Sequence, residues 1–153
     1  MKTDETMDLW PDHFEPESDG ELPVVILRQQ AALLGRKTRG LVEAEVKTTA
    51  APAGTRMSFS PVRLVGEPEL EPARFAHRFL LRVPAVEDYR YALFTVYQQP
   101  TDLYPLRIDF DDRTWEVKDR EDLDAALRLI FADESTKRVI GTLMAQSDKA
   151  SVG

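Results

Sequence analysis

Few side chains in this chain can do chemistry, and their spacing narrows what that chemistry could be. There is no cysteine, which removes thiolate nucleophiles, disulfides and cysteine-based zinc or iron–sulfur sites. Two histidines remain, His13 near the N-terminus and His77 within RFAHRFLLRV, too few for a histidine-rich metal site. Acid–base or nucleophilic catalysis would therefore have to use His77, with Ser58, Ser60 or Tyr91 on a neighbouring strand as its partner. No GxSxG or HExxH frame accompanies it. The competing reading is a core histidine with its hydrogen bonds satisfied. An open, water-accessible cavity at His77 would favour the first reading, and a seal of Phe75, Phe79 and the first helix the second.

Three further clusters invite a test. Asp109, Asp111, Asp112 and Glu116 bring oxygens together around a turn, but a calcium loop needs glycine at its sixth position and glutamate at its twelfth. Counting from Asp109 gives Thr114 and Arg120, so the cluster reads as a solvated acidic turn and no metal is expected. LLGRKT resembles the end of a phosphate-binding loop only superficially. Gly35 and Lys37 are not adjacent, and the segment falls at a helix C-terminus, where the dipole repels phosphate. No cofactor motif is left. The third cluster is a row of cations, Arg74, Arg78 and Arg82, which Arg90 and Arg107 could extend across a sheet, with Tyr89 or Tyr91 nearby for stacking. Leu80 interrupts that row, and Glu43 and Glu45 can pair with it across strands.

The elements that must position these residues follow from hydrophobic period. Phe75, His77, Phe79, Leu81 and Val83 alternate with Arg74, Ala76, Arg78, Leu80 and Arg82, the pattern of a strand with one buried face. Tyr89 to Tyr97 is expected to fold back beside it. Pro23 to Gly40 reads as a helix, with Pro23 at its first position, Val24, Leu27, Ala31 and Leu34 on one face, and Ile26, Gln30 and Leu33 widening that face. Its last turn carries Arg36, Lys37 and Arg39, and Gly40 suits a left-handed stop. Leu41 to Thr49, Arg56 to Val65, Leu103 to Phe110 and Trp115 to Lys118 supply the other strands. Two helices close the chain, one opened by Asp119 with Asp122 three residues on, the other by Ser135. Strands that follow one another through short connections imply an antiparallel meander. The expected fold is a single α+β two-layer domain over residues 23–147, with five or six strands, an N-terminal helix and two C-terminal helices.

Charge is distributed unevenly. Residues 1–22 hold eight acids and one base, a net charge of −7, and the rest of the chain holds nineteen of each sign. The chain's −7 therefore belongs to a tail and not to the body. That tail, with Trp10 and Phe14 set among acids in DLWPDHF, is expected to be a solubilising extension, or else a docking segment or a clamp that docks on the chain's own body. A neutral body lacks the basic excess of nucleic-acid binders. The acidic start is unlike a secretory signal, and no apolar run reaches the roughly 18 residues of a membrane span. The layout of long helix, antiparallel meander and terminal helices resembles secretion-chaperone-like and cystatin-like binding domains, layers that many functions share. The expectation is a cytoplasmic, non-catalytic binding or regulatory protein. It would meet a protein partner through the sheet face (Arg74, Arg78, Arg82, Arg90, Arg107) and the tail (Trp10, Phe14), with a homodimer as a further partner. The alternative is a small enzyme or ligand-binding domain with a helix–sheet pocket centred on His77.

Overall fold

The computed structural model describes residues 7–16, 22–52 and 73–152. In chain order these form α1 (Pro23–Lys37), β1 (Glu43–Pro52), β2 (Ala73–Val83), β3 (Tyr89–Gln98), β4 (Leu106–Phe110), β5 (Arg113–Val117), α2 (Arg120–Ala132) and α3 (Glu134–Val152). The strands make one sheet in the order β1-β2-β3-β4-β5, each pair antiparallel. The α+β meander expected from the sequence is present, with five strands. The expected Arg56–Val65 strand lies outside the described residues, and β1 pairs with β2 directly. Among the described residues no helix is long and apolar enough to cross a membrane.

Period-two alternation sets the two faces of the sheet. Cross-strand partners share a face, so the row Thr48, His77, Val96, Ile108, Trp115 looks one way and the row Lys47, Arg78, Thr95, Asp109, Thr114 the other. The first face carries the core. Phe79 stacks on Phe94 with ring centroids 4.8 Å apart, and Phe131 from α2 meets both rings at 5.6 and 6.0 Å. Leu81, Val96, Leu106, Ile108 and Val117 extend this layer under Leu123, Leu127 and Ile130 of α2. A bulge between Phe79 and Leu80 shifts the β2–β3 register, so that Phe79 faces Phe94 and Leu80 faces Ala92. The extra residue, Leu93, is buried in the core cluster.

The helix ends show which local signals act. Pro23 occupies the first helical position of α1 with no side-chain cap before it. The buried positions are Pro23, Ile26, Leu27 and Ala31, a face that fades toward the C-terminus and leaves Leu33 38% exposed. The helix stops three residues earlier than the Gly40 signal suggests. Thr38 takes the C-cap position, Arg39 and Gly40 both adopt positive φ, and the Gly40 N–H donates to the Gly35 carbonyl at 2.8 Å. Gly40 is suited to that region, and Arg39 enters it at a steric cost. Thr38 then pins the corner: its hydroxyl accepts from the Val42 N–H at 3.1 Å and donates to the Val42 carbonyl at 2.6 Å.

At α2 the Asp119 carboxylate caps the Asp122 N–H at 2.9 Å, as the spacing predicts, while Asp122 accepts from the Lys118 N–H at 3.1 Å. The start of α3 differs from expectation. Asp133, not Ser135, is the capping group, accepting from both the Ser135 N–H and hydroxyl at 3.0 and 2.7 Å. A carboxylate beside a helix N-terminus is held by those donors and by the local dipole. The same two Ser135 bonds, with the Arg113 guanidinium 3.0 Å away, hold the Asp133 carboxyl below its usual range.

Candidate functional site

His77 sits on the core face of β2, 2% exposed. Its Nε2–H donates to the Gln98 side-chain carbonyl at 2.8 Å, and its Nδ1 accepts from the Thr48 hydroxyl at 2.8 Å. This arrangement satisfies a neutral imidazole completely. Burial lowers the His77 pKa from its ordinary value, the Gln98 bond opposes that shift, and Arg28 on α1 adds to it. Phe75 packs edge-on at 6.4 Å. No ring nitrogen is left to abstract a proton from a substrate. Of the partners considered from sequence, Tyr91 lies opposite Leu81 rather than His77, and Ser58 and Ser60 fall outside the described residues. The true partners were signalled by parity: Thr48 follows Ala44 and Val46, and Gln98 follows Phe94 and Val96, so each is a polar residue at an inward position.

The opposite face of the sheet carries the arginines, which divide into two groups. Arg82 pairs with Glu43 and with Asp88 at 2.6 Å, and Arg90 pairs with Glu45 at 3.0 Å. The Glu43 bond is the chief cause of a raised Arg82 pKa. Arg107 pairs with Asp109 at 3.1 Å and lies 5.7 Å from the centre of the Tyr97 ring. These three arginines are thus ion-paired, Arg82 and Arg90 with the Glu43 and Glu45 expected from the sequence and Arg107 with Asp109. Arg74 and Arg78 form no ion pair among the described residues. Arg78 stands directly opposite Lys47 of the edge strand β1, two cations side by side. Arg74 lines a shallow hollow of about 150 Å³ with Tyr97, Gln99, Arg107 and Glu116. Among the described residues, the positive charge of this face that forms no ion pair therefore concentrates at Lys47, Arg78 and Arg74.

The acidic cluster of the last hairpin disperses. Asp109 is taken by Arg107 and by the Thr114 hydroxyl at 3.0 Å. Asp111 and Asp112 form the two-residue turn itself, with φ of 49° and 66°, the left-handed pair that tight hairpins require and that Asp tolerates better than most residues. Among the described residues no group of three or more His, Asp or Glu converges to hold a metal ion.

On the helix side a cleft of about 200 Å³ opens between α1 and the C-terminal helices. Phe79, Leu81 and Leu93 form its floor, Leu33, Leu34 and Lys37 one wall, and Phe131 and Ile140 the other. Sequence periodicity assigned Leu33 and Leu34 to the buried face of α1, and no single-segment pattern could show that its far half overhangs a gap. Trp10 and Phe14 of the tail contact each other edge-on at 5.8 Å and are 72% and 64% exposed. Comparison with protein-family models, curated proteins and solved structures finds no match for the chain.

Proposed function

We propose that this is a non-catalytic cytoplasmic binding or regulatory protein that meets an acidic segment of a protein partner through the outer face of its sheet, with its own N-terminal tail contributing to recognition. The observation that carries the reading is the division of the arginines. Three are consumed by ion pairing, while Lys47, Arg78 and Arg74 form no ion pair among the described residues and leave a cationic strip. A partner carboxylate placed there gains charge-assisted hydrogen bonds without having to displace an internal acid. The paired rows beside it supply a rigid, polar rim, and complementary charge of this kind favours orientation and encounter rate. The engaged ring nitrogens of His77 support a structural role for that residue and not a catalytic one.

Affinity capture from cell extract with the full chain, with a K47E/R78E variant and with a chain lacking residues 1–22 tests this. The reading expects partners that the full chain retains and the K47E/R78E variant loses at unchanged melting temperature. If all three capture the same proteins in the same amounts, neither the sheet face nor the tail is the binding surface.

A further inference from the structure

We infer that the cleft between α1 and the C-terminal helices is the seat for the chain's own N-terminal segment, with Trp10 and Phe14 inserting in cis over Phe79, Leu81 and Leu93. Three independent observations meet here. The first is size: about 200 Å³ lies below the roughly 300–1,000 Å³ of sites for drug-sized ligands, and suits an aromatic side chain or two. The lining is almost wholly apolar, with Lys37 and Gln30 at its edge.

The second is complementarity. Met7, Leu9, Trp10 and Phe14 are 64–84% exposed, an apolar cluster that water disfavours, and Trp10 and Phe14 already pack as a pair. Asp8, Asp12 and Glu15 surround that pair, and Arg36, Lys37 and Arg39 stand at the C-terminal end of α1. The helix dipole contributes about half a negative charge at that end, which three whole cations exceed.

The third is reach. Nine residue steps separate Phe14 from Pro23, enough to span at most about 30 Å. Leu33 lies ten residues into the helix, about 15 Å along its axis. The tether is long enough to place Phe14 at the cleft and short enough to hold it there at a millimolar effective concentration. A second copy of the chain reaches such a concentration only in very concentrated solution, so the cis arrangement wins over the trans one. This inference stands apart from the sheet-face half of the proposed function, because the cleft is on the other side of the sheet, and it means that Trp10 and Phe14 reach a partner only on leaving the cleft.

The chain has no cysteine, so a D12C variant accepts one nitroxide spin label at an exposed position. Methyl NMR of the full chain should then show loss of intensity at Leu33, Leu81, Leu93 and Ile140, and none at Leu106 or Val117. The loss should disappear with W10A/F14A, and also with the cleft-side change L33D at a partly exposed position. Mixing spin-labelled, isotopically silent chains with unlabelled, isotopically visible ones separates cis from trans. The same intensity loss in that mixture, loss at Ala92 and Thr95 on the outer face, or no loss anywhere would each overturn the inference.

Discussion

At the scale of single residues, two buried threonines make opposite predictions. Thr38 is 4% exposed and its hydroxyl serves both backbone groups of Val42. Thr136 is fully buried in α3, and its hydroxyl has no hydrogen-bond partner among the described residues. Thr38→Val strands a buried N–H and should cost about 1–3 kcal/mol. Thr136→Val removes a polar atom that gains nothing and should be neutral or slightly stabilising. Urea melts of the two variants read the difference directly. Equal losses would show that Thr38 is not pinning the α1–β1 corner.

His77 carries the pH dependence. Its folded pKa is depressed, chiefly by burial, so below the unfolded value of about 6.5 the unfolded chain binds more protons than the folded one. Stability should therefore be fully present above that value and fall as pH drops through it toward the depressed folded pKa. In His77→Leu that dependence between neutral pH and about pH 5 should vanish. The variant should also be weaker at neutral pH, because the Gln98 carbonyl loses its donor, at a cost of about 1–3 kcal/mol. Denaturation at two pH values checks both. A wild type as stable at pH 5 as at pH 7 would contradict the sealed, neutral imidazole.

At the scale of elements, local signals were most legible where one residue makes one bond. Asp119 was read from its spacing to Asp122 and does cap α2. Asp119→Ala should lower stability by about 1 kcal/mol, seen as a shift in urea midpoint with an unchanged slope. The β2 and β3 strands were readable because alternation over ten or so residues fixes a face. Ser135 was expected to cap the start of α3, but the Asp133 carboxylate prevails there because it accepts two bonds from Ser135 at once. The first helix shows a different failure. Its apolar face was recognised, but Leu33 is left exposed and Leu34 only partly covered, and whether a stripe meets a neighbour depends on where α2 and α3 land.

At the scale of the whole molecule, the sheet divides two kinds of surface. The core and cleft lie on one side, and ion-paired arginines with a cationic strip that has no ion pair among the described residues on the other. The order of β2 to β5 was legible because each follows its neighbour through a short connection, whereas twenty residues separate β1 from its partner β2. The candidate site was only half legible. Sequence located the arginines on one face, but which of them are neutralised depends on register, with Glu43 opposite Arg82 and Lys47 opposite Arg78. A one-residue slip would have removed both juxtapositions, setting Arg78 and Arg82 against residues of the other face.

The central claim, that the outer face is the binding surface, is most directly tested by site-specific photo-crosslinking. A photoreactive residue replaces Thr95, in the Lys47–Arg78 row, or Leu129, which is 69% exposed on α2. The account predicts a covalent adduct with partner protein from position 95 and none from position 129. Adducts from position 129 with none from position 95 would place the partner on the helices and contradict it.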